Sequence, residues 1–397
     1  MLLWGKWTGI GRAIWEVAKR LSADPRGHDY VLYASRGFKR RRELAAPHFR
    51  VRRTWFSARN RTLRIFWEQL RLPRISAGEV DVLHAPAYVM PLISLAPVVV
   101  TVHDTIALHH PDLVRRASVS HMRRFLPKTL ARAEIVLVPS DAVAKDLRKL
   151  AREFEREDKK RSRPAGASPL RIDLDDKLRV VPFGVGPEFA PLEDEPARAQ
   201  ARAALGLDKP YVLSVGRVEP KKNLRRVVEA FFAAAMAKRL PHDLVLVGPG
   251  TWRARRSLRK SIRALGMAER VKLLGYVPDD RMPSLYAAAE AVLFPSKVEG
   301  FGFPLLEAMA SVTPCVISRD AALRELAGKA ALSVAADDLV RLRGGLEKVL
   351  INRDAAMDLR AKGLARAREF SWERTVDLTL AAYVEARERH EAKRPKG

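Results

Sequence analysis

The sequence predicts an α/β protein of two Rossmann-like domains, each a doubly wound parallel sheet, and three observations lead there. The chain has 397 residues, well beyond one domain of roughly 100–200 residues. Short apolar runs that end in Gly, Pro or a polar residue recur along it, each followed by a stretch of helical periodicity, which is the pattern of βα units. Near the middle, Gly184 to Arg198 collects Gly186, Pro187, Pro191 and Pro196 with Glu193, Asp194 and Glu195, a composition suited to a linker between two such series.

In the first half the expected strands are Val80–Leu83, Val98–Val102, Ile135–Pro139 and Leu178–Pro182. In the second they are Tyr211–Val215, Leu244–Val247, Val271–Leu274, Ala291–Phe294 and Cys315–Ile317. Ile14, Val17, Ala18 and Leu21 follow an i, i+3, i+4, i+7 spacing, so a helix beginning near Gly11 presents one apolar stripe to a sheet. That helix ought to follow a strand, yet only Met1, Leu2, Leu3 and Trp4 precede Gly5. The first strand, commonly central in such sheets, is therefore expected to be missing or cut short, with the true start upstream of Met1. Arg152 to Asp176, rich in charge and holding Pro164, Gly166 and Pro169, reads as an exposed insertion.

Composition narrows the function classes. No window approaches the ~18–20 uninterrupted apolar residues of a membrane span, and Met1 to Leu21 is broken by Lys6, Arg12, Glu16, Lys19 and Arg20, so a cytoplasmic protein is expected. The single cysteine, Cys315, excludes an internal disulfide and a cysteine-based metal cluster. The formal net charge of +27 attracts polyanions of any kind. Between Arg36 and Arg64 eleven Lys or Arg stand against Glu43 alone, with Phe38, Phe49, Trp55 and Phe56 among them. This stretch suits either an anionic membrane surface, with the protein peripheral on the inner face of the cytoplasmic membrane, or a solvated basic face.

The chemistry concentrates after strand Ala291–Phe294, in Glu299-Gly-Phe-Gly-Phe-Pro-Leu-Leu-Glu307. Pro304 suits the first helical position, which puts Glu299 in the loop and Glu307 in the first turn. Gly300 and Gly302 let backbone N–H groups approach a ligand, and a helix N-terminus adds unpaired donors. At the end of strand Tyr211–Val215 stands Gly216-Arg217-Val218-Glu219-Pro220-Lys221-Lys222-Asn223. An arginine and a lysine at the carboxyl edge of a sheet can hold a diphosphate, the first by paired hydrogen bonds and the second as a point charge.

These segments resemble the E-x7-E and G-R-x-x-x-x-K motifs of the retaining glycosyltransferases of GT-B fold, in particular glycosyltransferase family 4 (glycosyl transferases group 1). Gly9-Ile10-Gly11-Arg12 is similar to the family's N-terminal glycine loop, and Val102-His103-Asp104 to the segment in which a histidine approaches the transferred sugar. Taken alone, His103 suits a structural role equally well. Val181-Pro182-Phe183-Gly184-Val185 resembles the hinge, with Phe183 where asparagine is frequent. Gly275-Tyr276-Val277-Pro278 is similar to the turn under the nucleobase, and Phe370-Ser371-Trp372 to the approach to a terminal helix crossing back to the first domain. The matches run from Gly9 to about Tyr383. They imply an acceptor-binding domain over 1–185, a nucleotide-sugar-binding domain over 186–372, a returning helix over 373–397, and a donor held in the cleft between the two domains.

Carried over residue by residue, the resemblance implies that Arg217 and Lys222 hold the diphosphate, that Glu307 meets the ribose hydroxyls, and that Glu299 and the Phe301, Gly302 and Phe303 amides lie near the sugar hydroxyls. Gly9, Gly11 and Val277 complete the donor site, and His103 sits by the reacting sugar. The implied activity is a mannosyltransferase-like transfer of a hexose, with retention, from a nucleotide-diphosphate sugar to a glycan or lipid-linked acceptor, in cell-surface polysaccharide or lipopolysaccharide biosynthesis. No metal or other cofactor is expected: Asp173-Leu174-Asp175 spells a metal-binding string, but it lies in the charged insertion before a strand, and Arg217 with Lys222 can do a metal's electrostatic work. A basic nucleic-acid-binding protein is the alternative from charge, although the charge is scattered and no nucleic-acid partner is expected. A non-catalytic protein of the same fold is the alternative from fold.

Overall fold

The computed structural model describes residues 9–38, 42–57, 60–160 and 168–393, and it divides into two compact units, 1–184 with 372–397, and 185–371. The first four residues of the chain, on which the question of a first strand turns, lie outside the described residues, as do Pro164 and Gly166.

In the first unit the helix Gly9–Ala23 comes first. Strand β1 (Tyr30–Ala34) pairs in parallel with β2 (Phe49–Arg53) as a separate two-stranded sheet. Strands β3 (Leu83–Ala85), β4 (Val98–Thr101), β5 (Ile135–Val138) and β6 (Leu178–Val180) form a second parallel sheet in that order. Every residue of β4 and β5 is buried, as their unbroken runs of Val, Ile and Leu require of strands covered on both faces. The expected strand Val80–Leu83 sits further along, at Leu83–Ala85. β1 and β2 were not expected. β2 reads Phe-Arg-Val-Arg-Arg with only Phe49 buried, a pattern that charge disguises.

The expected insertion is in its first part no insertion. The helix Asp141–Lys159 runs through Arg152 and is capped by the Ser140 hydroxyl, which accepts from the Val143 amide. Its buried stripe of Val143, Ala144, Leu147, Leu150 and Ala151 outweighs the charge on its outer face. Asp173 and Asp175 are exposed: Asp175 takes an ion pair from Arg148 at 3.0 Å, and its amide donates to Asp173 Oδ1. The aromatics of the basic stretch also divide, since Phe38, Phe49 and Phe56 are buried and Trp55 alone is exposed, at 72%. The closing helix Trp372–Ala392 belongs to this unit, anchored by the fully buried Trp372. No helix among the described residues is long and apolar enough to cross a membrane.

The second unit is one parallel sheet of β7 (Tyr211–Val215), β8 (Asp243–Val247), β9 (Val271–Gly275), β10 (Ala291–Phe294), β11 (Cys315–Ser318) and β12 (Leu332–Val334), in the order β12-β11-β10-β7-β8-β9. The helix Leu224–Lys238 packs Leu224, Val227, Val228, Phe231 and Ala234 onto one face of it. The first strand, β7, is central, and the chain then builds outward on one side before crossing to the other. β7 and β10 therefore flank the point where strand order reverses, and ligands of open α/β sheets bind outside the carboxyl ends of the strands at such a point.

Candidate functional site

The segments leaving β7 and β10 meet. After Val215 the chain turns through Gly216, and a 3-10 turn at Pro220–Lys222 ends on Asn223 in the left-handed conformation. The Asn223 side chain donates to the Ala336 carbonyl at 2.8 Å, and the Lys297 amide donates to the Lys221 carbonyl at 2.8 Å. The first of these bonds ties the post-β7 turn to the segment after β12, and the second ties it to the post-β10 loop. Gly248 at the end of β8 is held against the Gly216 carbonyl so closely that any Cβ there would lie 2.0 Å from it.

Within this frame Lys222 Nζ lies 2.5 Å from Glu299 Oε1, with the two side chains 12% and 11% exposed. The ammonium also sits 4.7 Å above the Phe294 ring, a favourable cation–π placement. Burial alone would raise the Glu299 carboxyl; the charges of Lys222 and Lys221 outweigh it and hold the group below the usual carboxylate range. The Glu299 amide donates to Asp320 Oδ2 at 3.3 Å, while Asp320 Oδ1 caps the helix Ala321–Ala327 by accepting from Leu323. Burial, with the neighbouring Glu299 charge, lifts the Asp320 carboxyl to about 6 against the hydrogen bonds that favour its ionised form. Asp320, Asn223 and Phe294 had no motif to mark them; only their positions at strand ends could have drawn attention.

Gly302 adopts φ +113 as the N-cap of the helix Phe303–Ala310, and a Cβ there would meet Leu323 Cδ2 at 2.6 Å. Glycine is needed at this point for both reasons. Pro304 is in the first turn but not its first residue, and Glu307 lies a full turn in rather than in the first turn. It is 5% exposed on a helix whose neighbours Leu305, Leu306, Ala308 and Met309 are all buried. Phe301 packs edge-on to Phe303 at 5.5 Å. Arg217 is 44% exposed and turned to Glu219, its Nε 2.6 Å from Glu219 Oε1, whereas Lys222, the other expected phosphate cation, contacts the acidic loop. Val277 is half-buried in the turn after β9.

The remaining candidates belong to the first unit. His103 is buried; its Nε2 lies 2.7 Å from the Pro86 carbonyl and must donate to it, leaving Nδ1 as the acceptor. The ring stacks on Phe183 at 5.6 Å and meets the Tyr88 edge at 5.8 Å. Burial depresses its pKa, so it is neutral at pH 7. Gly9 and Gly11 do not form a loop. They lie within the helix Gly9–Ala23, with Gly11 buried. Among the described residues no group of three or more His, Cys, Asp or Glu could hold a metal ion.

The model of the glycosyl transferases group 1 matches residues 197–366, and that of Glycosyltransferase Family 4 matches residues 7–156. The O-antigen chain mannosyltransferase B of Escherichia coli is 28% identical over 396 residues, covering 95% of this chain and 96% of that protein. A D-inositol 3-phosphate glycosyltransferase of Acidothermus cellulolyticus is 34% identical over 221 residues, 53% of this chain and 48% of its own length. Among solved structures, sucrose-phosphate synthase from Thermosynechococcus elongatus superposes with TM-score 0.73 at 21% identity over 97% of this chain and 94% of its own. WaaG, a glycosyltransferase involved in lipopolysaccharide biosynthesis, does so with TM-score 0.70 at 17% identity over 99% and 98%. With a buried Lys–Glu pair at the reversal point of a doubly wound sheet and two family models spanning most of its length, the chain belongs to the family 4 glycosyltransferases of GT-B fold.

Proposed function

We propose that this glycosyltransferase moves a hexose, as a mannosyltransferase would, from a nucleotide-diphosphate sugar to a glycan or lipid-linked acceptor, with retention of configuration, in the assembly of O-antigen or a related cell-surface polysaccharide. The near full-length likeness to an O-antigen chain mannosyltransferase supports the substrate class. The observation that carries the donor assignment is the Lys222–Glu299 pair between β7 and β10.

In the reaction the bond between the anomeric carbon and the diphosphate oxygen breaks, the diphosphate leaves with the electron pair, and the acceptor oxygen bonds the anomeric carbon as its proton passes to the departing diphosphate oxygen. Lys222 is the cation placed to meet charge growing on the diphosphate, with Arg217 able to swing from Glu219 to join it. Such fixed cations supply what a metal supplies in other transferases, so transfer is expected to survive chelation. Glu299 and the amides around Gly302 take the sugar hydroxyls, and Glu307 the ribose. His103, neutral, serves as a hydrogen-bond partner rather than a cation.

The test is a thermal-shift screen with UDP-, GDP- and ADP-sugars, since a ligand that binds only the folded state raises apparent stability. One donor class should stabilise the native protein and leave Lys222→Ala unmoved. Equal shifts in both proteins, or none with any nucleotide sugar, would refute the assignment. The same protein is proposed to work in the cytoplasm at the inner membrane face through the basic stretch and the exposed Trp55. Flotation with vesicles should then depend on anionic lipid and weaken in Trp55→Ser.

A further inference from the structure

The second unit carries one helix whose charge is left open. Trp252–Ala264 holds Arg253, Arg255, Arg256, Arg259, Lys260 and Arg263 against no Asp or Glu. Among the described residues, every other helix of ten or more residues in this unit sets a cation against a carboxylate of its own: Arg198 with Glu195, Arg225 with Glu229, Arg343 with Glu347 and Lys362 with Asp358. The cations of Trp252–Ala264 take no ion pair with a described residue.

The helix lies flat on its unit. Leu258 and Ile262, one turn apart, pack into the core. Arg255 falls on the same line and reaches Gly275, where a Cβ would lie 3.6 Å from its Nη1. The opposite line, Trp252, Arg256, Arg259 and Arg263 at i, i+4, i+7 and i+11, is exposed throughout, with Arg253 and Lys260 exposed beside it. Trp252 is 69% exposed, and the Arg256 guanidinium lies 5.1 Å from the centre of its ring. At ~1.5 Å per residue the row of cations and its terminal indole extends over about 20 Å.

A row of uncompensated cations attracts a polyanion, and the geometry selects among polyanions. The major groove of DNA takes in most of a helix's girth, whereas this helix is tied down along its length by Leu258 and Ile262 and offers one side only. A flat anionic sheet can meet the whole row at once, and an indole next to cations suits the headgroup level of a bilayer, where tryptophan concentrates. We propose that the exposed face of Trp252–Ala264 docks on an anionic lipid bilayer, the helix lying parallel to the surface with Trp252 at headgroup depth. This contact is made by the second unit and is additional to the one proposed for the basic stretch of the first.

The test is flotation of the full chain with vesicles of phosphatidylcholine, with and without phosphatidylglycerol, at physiological ionic strength. The triple variant Arg256→Gln, Arg259→Gln, Arg263→Gln should lower partitioning onto phosphatidylglycerol vesicles roughly 100-fold, at about a factor of five for each arginine, and Trp252→Ser should lower it roughly tenfold. Lys329→Gln with Lys348→Gln and Arg353→Gln, exposed cations elsewhere on the same unit, removes the same net charge and should change partitioning less than about threefold. Equal losses in the two triple variants would overturn the proposal, as would full binding by the helix variants. Salt-dependent binding of a DNA duplex that the helix variants lose, without flotation of the unaltered chain, would assign the face to nucleic acid instead. Trp55→Ser, run in parallel, reports on the first unit separately: a loss there alone keeps that contact and removes this one.

Discussion

Lys222 and Glu299, 77 positions apart in sequence, share one buried hydrogen-bonded ion pair at the reversal point of the second sheet. Each stands at the carboxyl end of its own strand, and each removes the other's desolvation cost. The pair therefore binds two loops together and holds a cation where a diphosphate is expected to arrive.

Breaking it from one side should be worse than removing it. Lys222→Ala leaves a buried carboxylate uncompensated, which costs about 3–5 kcal/mol, and should lower kcat/KM by roughly 10²–10³-fold. The double variant Lys222→Met with Glu299→Gln should recover most of the stability and none of the activity. Denaturant unfolding and steady-state kinetics on the three proteins check this, and recovery of activity in the double variant would contradict the role given to Lys222.

Gly302→Ala should be destabilising in a localised way. The left-handed φ of +113 and a Cβ at 2.6 Å from Leu323 both oppose it, for a cost on the order of 1–3 kcal/mol. Leu323→Ala in the same chain should relieve the steric part and leave the backbone part. Chemical denaturation of the single and double variants separates the two.

The carboxyls of Glu299 and Asp320 should oppose each other in their pH dependence. Glu299 is depressed in the folded state, so its contribution is present above its unfolded value of 4.5 and is lost as pH falls through its lower folded value. Asp320 is raised to about 6 from 3.8, so it favours the folded state increasingly as pH drops from above 6 toward 3.8. Asp320→Asn should flatten stability across that window. Melting temperatures between pH 4 and 7 report it, and identical profiles for wild type and Asp320→Asn would contradict the assignment.

His84 should make the first unit acid-labile. It lies half-buried between Tyr383 at 2.7 Å and Thr101 at 2.8 Å, and desolvation, with His103 nearby, holds its folded pKa at about 3. Its contribution is complete above the unfolded value of 6.5 and declines as pH falls below it, because the unfolded chain takes up the proton first. His84→Gln should unfold less steeply between pH 6 and 4, followed by the fluorescence of the buried Trp372 in the same unit.

Much of the fold could be read from residues alone. Strands β4, β5, β8, β10 and β11 are mainly apolar runs buried at every position, as strands covered on both faces must be, and β7 and β9 were read from their apolar residues although β9 carries Lys272 and is only partly buried. β2 escaped because charge disguises it, as Arg50, Arg52 and Arg53 show; β1 and β12 carry no charge and are short and only partly buried. The helix Asp141–Lys159 was partly mistaken for an insertion since its stripe of small and aliphatic residues is sparse among charges. At the site, Glu299, Lys222 and Gly302 were marked by motif, whereas Asp320 and Asn223 act through backbone groups, which leave little trace in a local pattern.

By itself the sequence determined the fold class, the family motifs and the residue types available to a sugar diphosphate, because these depend on periodicity and on chemistry within a few residues. Which of those residues meet was decided by the tertiary structure: Lys222 turns to Glu299, Arg217 to Glu219, and Gly9 with Gly11 enter a helix rather than a loop. The reason is that burial and strand order act across the whole sheet. Lys222 acquires Glu299, and Gly302 its contact with Leu323, from residues that the chain brings in from far away.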